Sequence, residues 1–102
     1  MAIRMRRSSG NVFEDVGFPR PEAERLLIRS ELMSEVERLI KKRRLTQKQA
    51  AKALGVTQPR ISDLVRGHID LFSIDTLVDM LGLLGVGVTL KTKERRGRRR
   101  VA

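Results

Sequence analysis

The sequence predicts a small all-α domain, and three observations carry the prediction. Apolar residues recur at helical spacing from Leu26 to Ile40, and again from Ile74 to Leu84. Between them, residues 46–67 (TQKQAAKALGVTQPRISDLVRG) read as two short helices, each with its own cap, joined at a glycine. Only one stretch, Val86-Gly87-Val88-Thr89-Leu90-Lys91, alternates in the period of a β-strand. A chain of 102 residues has room for one core.

Composition narrows the chemistry. The three aromatic residues are all Phe, which leaves little for base stacking of the kind that single-strand and many RNA readers use. With no cysteine, disulfides, Cys-ligated zinc and thiol chemistry are excluded. No apolar run approaches a membrane span and no signal-peptide core is present, so a cytoplasmic location without membrane contact is expected. The net charge of +10 is uneven: residues 91–102 hold seven basic groups against Glu94, and residues 21–90 hold eleven against nine acids. An excess placed on a tail favours a polyanion and contributes little to folding.

The first ten residues, basic and then Ser-Ser-Gly-Asn, read as a flexible arm. In residues 11–18, Val12, Phe13, Val16 and Phe18 alternate with Glu14 and Asp15. Exposed apolar side chains prefer to be covered, which favours a strap packed on the domain's own surface. The alternative is a peptide that orders on a partner protein. Pro21 suits the first turn of a long helix, with Glu22 and Glu24 at its positive end. Leu26, Arg29, Leu32, Met33, Val36, Leu39 and Ile40 keep its period to about Arg43. The run Lys41-Lys42-Arg43-Arg44 matches the negative end of that helix and abuts the next segment, where phosphate contact is expected of Arg44.

Thr46 and Gln49 form a capping-box pair, in which each side chain satisfies an orphan backbone N–H. The helix that follows ends at Gly55, which enters the left-handed region without a Cβ penalty. Thr57 caps the second helix, whose Pro59 falls in the first turn. Ala51 lies where two steeply crossed helices approach closely, and Ile61, Leu64 and Val65 give the second helix an inward face. Its other face carries Gln58, Ser62 and Asp63, with Arg60 and Arg66 beside them. Such a face suits the major groove of B-DNA, where Gln and Arg make paired contacts to base edges. His68, the sole histidine, has no clustered ligand and makes no metal site. Ser73 caps a helix from Ile74 to about Leu83 that is apolar at Ile74, Leu77, Val78, Leu81 and Leu84. For the strand at 86–91, either two copies pair antiparallel across a two-fold axis through Val86, Val88 and Leu90, or the strand pairs with residues 11–16 of its own chain. The last residues, KERRGRRRVA, are too charged to fold alone.

Gln47, Ala51, Gly55, Val56, Ile61 and Leu64 match, residue by residue, the motif by which the chain resembles the Cro/repressor-like (XRE) helix-turn-helix domains. The resemblance implies a five-helix domain over residues 21–90 with its motif at 46–67. It sits between an arm and leader at 1–20 and a basic disordered tail at 91–102, and its first helix is longer than the family requires. Ala51, Gly55, Val56, Ile61 and Leu64 are the motif core. Thr57, Gln58, Arg60 and Ser62 are the expected base readers, and Gln47, Arg44, Lys48, Lys52 and Arg66 the expected phosphate contacts. A homodimer would set two reading helices about 34 Å apart on a near-palindromic operator.

The compact domain, the hydrophobic-acidic leader, the long first helix and the C-terminal strand together resemble HigA-type antitoxins. That likeness implies an RNA-cleaving RelE/HigB-like toxin as a further partner, and repression of the pair's own operon. A stand-alone or phage-derived repressor is the alternative, and a sequence-independent basic RNA- or nucleoid-binding protein a more distant one. No cofactor is expected, and with no nucleophile beside a base and no phosphate-binding loop, neither is an enzyme.

Overall fold

A computed structural model describes the backbone of residues 2–4 and the whole of residues 11–94. Five α-helices and a two-stranded sheet follow in the order β1 (Ala2–Arg4), α1 (Val12–Asp15), α2 (Arg20–Lys42), α3 (Gln47–Leu54), α4 (Gln58–Val65), a 3-10 turn (Ile69–Leu71), α5 (Ile74–Leu83) and β2 (Gly87–Thr89). The expected all-helical repressor-like architecture with a short C-terminal strand is what forms.

Helix α2 is the axis of the fold. Pro19 occupies its N-cap and Pro21 its first turn, while Glu22 faces the N-terminal dipole and Lys41 and Lys42 the C-terminal one. Its C-terminal half lays Leu32, Met33, Val36, Leu39 and Ile40 into the main core. There they meet Ala50, Ala51 and Leu54 of α3, Ile61 and Leu64 of α4, Phe72, and Leu77, Met80 and Leu81 of α5. Its N-terminal half buries Ala23 and Leu26 outside that cluster. On the exposed side Arg38 donates two hydrogen bonds to Glu35, and these hold the Glu35 carboxyl below its ordinary pKa.

The leader packs against α2, as a helix and not as an extended strap. Asn11 accepts from the Phe13 N–H at 2.9 Å and donates to the Ala23 carbonyl at 3.1 Å, so one side chain both starts α1 and ties it to α2. Phe13 and Phe18 meet edge to face at 6.3 Å, and Glu14 pairs with Arg20 at 2.9 Å. Pairing of residues 11–16 with the C-terminal strand is therefore excluded, because their backbone groups are spent in this turn.

Strand β2 pairs instead with β1, in parallel, with Ile3 opposite Val88. Residues 2–4 thus depart from the flexible arm expected of the N-terminus: ladder hydrogen bonds to β2 satisfy a backbone that the sequence left without a partner. Residue 1, residues 5–10 and residues 95–102 lie outside the described residues, and with them most of the arm and of the basic tail. Two core assignments also change. Val78, expected inward, is 39% exposed, and Val86, expected at a dimer contact, is 3% exposed and belongs to the chain's own core. The bond from Val86 N–H to Leu81 C=O folds the chain back over the end of α5 and aims Val86 inward.

Glycine has opposite uses at two sites. Gly55 closes α3 at φ 68°, with the Val56 N–H bonded to Ala51 C=O and the Gly55 N–H to Lys52 C=O. Open space surrounds the position where its Cβ would stand, so only backbone strain opposes a side chain there. Gly82 is helical within α5, and open space surrounds it as well. By urea unfolding, Gly55→Ala should lose about 1 kcal/mol and Gly82→Ala gain about 0.5–1 kcal/mol. Equal signs would show that left-handed strain does not control the corner.

Candidate nucleic-acid interface

The interface is built by two eight-residue helices that share one buried seam. In α3 the Thr46 hydroxyl accepts from the Gln49 N–H at 3.1 Å, and Gln49 Oε1 accepts from the Thr46 N–H at 2.9 Å, which is the capping box expected from the sequence. In α4 the Thr57 hydroxyl accepts from the Arg60 N–H, more weakly, at 3.4 Å. Ala50, Ala51 and Leu54 turn inward from α3 and Ile61 and Leu64 from α4, while Val56 packs against the core half-buried. Ala51, Ile61 and Leu64 are thus buried in the seam, Val56 packs beside them and Gly55 stands at the corner.

The outward residues follow from the same period. Gln58, Ser62 and Arg66 are four apart and form one stripe, the first and last exposed and Ser62 half-buried. Lys48 and Lys52 form a second stripe on α3, and both are exposed, as are Gln47 at the start of α3 and Arg44 before its cap. Arg44 closes α2 at φ 55°, a conformation that costs a non-glycine residue about 1 kcal/mol or more. The interface thus sets polar and cationic side chains in water, over a seam of apolar ones.

Three of the charged groups are engaged in ways the sequence did not signal. Arg60, expected among the base readers, turns away from the stripe. Residues two apart on a helix point roughly 160° from one another, so Arg60 faces away from both Gln58 and Ser62. Its guanidinium lies 4.2 Å from the Phe72 ring centroid and donates to Leu71 C=O at 2.9 Å. Asp63 pairs with His68 at 3.3 Å, not with Arg60 or Arg66. Arg43 reaches across to donate to Leu84 C=O at 2.7 Å, fastening the end of α2 to the end of α5. Of the basic run that includes it, Lys41 is paired with Glu37 at 3.2 Å. The engagements of Arg60 and Arg43, 11 and 41 positions away, leave no periodic trace in the chain. Among the described residues no group of His, Asp and Glu could hold a metal ion, and no helix is long and apolar enough to cross a membrane.

The comparisons agree with this geometry. No curated protein matches the chain. A solved structure of an XRE family transcriptional regulator is similar over 80% of this chain and 92% of its own, with 29% identity and a TM-score of 0.69. Residues 12–93 match the family described as a helix-turn-helix domain, which takes in α1 to β2. By that match, and by the capped pair of helices it spans, the chain belongs to the helix-turn-helix domain family.

Proposed function

We propose that the chain is a sequence-specific DNA-binding transcriptional repressor that acts as a homodimer. The observation that carries the reading is the stripe Gln58–Ser62–Arg66, held outward on a helix whose other face is fixed by Ile61 and Leu64. Amide and hydroxyl groups on such a helix match the donor and acceptor pattern of the major groove. Gln58 and Ser62 read bases, with Thr57 at the helix end beside them. Gln47, Arg44, Lys48, Lys52 and Arg66 bind phosphates, which fixes register without reading sequence. The resemblance to an XRE family transcriptional regulator supports the reading as a DNA-binding regulator.

Dimerisation falls to the sheet and the residues after it. Val86 is committed to the core and Val88 is half-buried, whereas Leu90 is 71% exposed. A two-stranded sheet also has outer edges that a second copy can extend.

The same chain is proposed to be the antitoxin of a toxin–antitoxin operon, holding an RNA-cleaving RelE/HigB-like toxin through its leader. Two features support this. Helix α1 leaves Val12 59%, Val16 68% and Phe18 39% exposed, an apolar surface the domain itself does not cover. That surface is also remote from the DNA contacts. It is tied to Ala23, and the twenty residues of helix from Ala23 to Lys42 span about 28 Å between their ends, so a toxin and a duplex can be held at once. A stand-alone repressor would have no use for that exposed surface.

Three measurements test these statements. On a duplex selected by the protein from a random pool, Gln58→Ala should cost about 1–3 kcal/mol and relax preference at one base pair. Equal weakening on every sequence would remove Gln58 from the base readers. Lys52→Ala should weaken selected and scrambled duplexes alike and lower the salt slope by about one ion, and an unchanged slope would remove Lys52 from the phosphate set. Co-expressed with the product of the adjacent open reading frame, the chain should co-purify with it and relieve its toxicity, and a Val16→Asp variant should do neither. Retention of both by that variant would place the contact elsewhere. If the wild-type chain prefers no sequence over a scrambled duplex, it is a basic coating protein instead of a repressor.

A further inference from the structure

We propose that Arg60 is a positioning residue for DNA recognition: it locks α4 to the segment that follows it and thereby sets the pose of every base-reading side chain at once. The proposal rests on the DNA-binding reading of α4.

The geometry has three parts. Arg60 is the third residue of α4, and its side chain leaves the helix on the side opposite Gln58 and Ser62. Its guanidinium lies over Phe72, which is 1% exposed and among the largest fully buried side chains of the core, so the ring cannot yield. One amino group donates to Leu71 C=O at 2.9 Å, on the last residue of the 3-10 turn. A planar cation held by a ring face and by a carbonyl is fixed in both tilt and rotation, which a lysine ammonium, lacking the planar fork, cannot reproduce. The far end of the same helix is tied to the same segment by the Asp63–His68 pair at 3.3 Å. Residues 68–72 therefore form a brace fastened to α4 at two points, and the Arg60 fastening lies on the side away from Gln58 and Ser62.

Such a brace matters because α4 has eight residues and only Ile61 and Leu64 fully inward. These two side chains, with Val65 half-buried beside them, define a seat on a short helix but leave rotation about its axis loosely held. A rotation that displaces Gln58 displaces Ser62 with it, so loss of the brace should blur several base pairs together. A base reader loses one.

The test uses the full-length chain, with duplexes selected from a random pool by the wild type and by Arg60→Lys and Arg60→Met variants. Thermal unfolding of each variant confirms that it is folded at the assay temperature, and Arg60→Lys keeps the charge should Arg60→Met prove unstable. Positioning predicts that both variants lose about tenfold in the ratio of selected to scrambled affinity. Their reselected sites should show weaker preference at every position read by Gln58 and Ser62, and Arg60→Lys should keep the wild-type salt slope on scrambled duplex. Relaxation at one base pair would make Arg60 a base reader and overturn the proposal. An unchanged affinity ratio alongside a lowered unfolding temperature would leave it a purely structural residue, which also overturns it. Failure of the wild type to select any sequence would instead count against the DNA-binding reading, a different result from either.

Discussion

The structure depends on how closely α4 is seated against α3 and the core. Ile61 and Leu64 are 0% and 1% exposed, and burial of two such side chains supplies about 1.5–3 kcal/mol each. That energy is available only because the chain reverses within three residues at Gly55 and because Ala51, at 7% exposure, keeps the neighbouring helix thin. A bulkier residue at position 51 would separate the helices and turn the Gln58–Ser62–Arg66 stripe, whereas a side chain at position 55 would meet open space and be opposed by backbone strain alone. What the interface presents to water is a consequence of what it buries.

The long helix joins this local arrangement to a second, apolar surface at its other end. At one end α3, α4 and the residues flanking them carry the exposed cations Arg44, Lys48, Lys52 and Arg66. At the other, α1 is pinned by Asn11 and Phe13 yet leaves valine and phenylalanine side chains in water. Between them, Arg43 fastens α2 to the last carbonyl of α5, so the helix and the C-terminal sheet share one frame. The length of α2 keeps the two surfaces apart.

Much of this was legible in the chain, for reasons that are local. The capping box of Thr46 and Gln49, the left-handed corner at Gly55, the caps at Thr57 and Ser73 and the buried stripe of α2 all follow from rules spanning three or four residues, and each stands in the structure. The stacking of Arg60 on Phe72 and the reach of Arg43 to Leu84 span 12 and 41 positions, and no periodicity announces them; arginine at an outward position of a reading helix looks the same whether it contacts a base or its own core. The strand partner was missed for a related reason. Three residues at the N-terminus carry no alternation of their own and become a strand only because β2 offers a ladder. The leader packs on α2 but as a helix that leaves Val12, Val16 and Phe18 exposed, and the sequence hides this because the cap that starts α1 is a single asparagine amid valine and phenylalanine.

The most direct test of the central claim is a titration of the isotopically labelled chain with a duplex it has selected, followed by backbone amide shifts. If α4 enters the duplex with its exposed stripe forward, the largest changes should fall on residues 44–52 and 57–66, and a scrambled duplex should move the first group while leaving Gln58 and Ser62 nearly still. Equal shifts at Gln58 and Ser62 with either duplex, or shifts confined to residues outside 44–66, would contradict it.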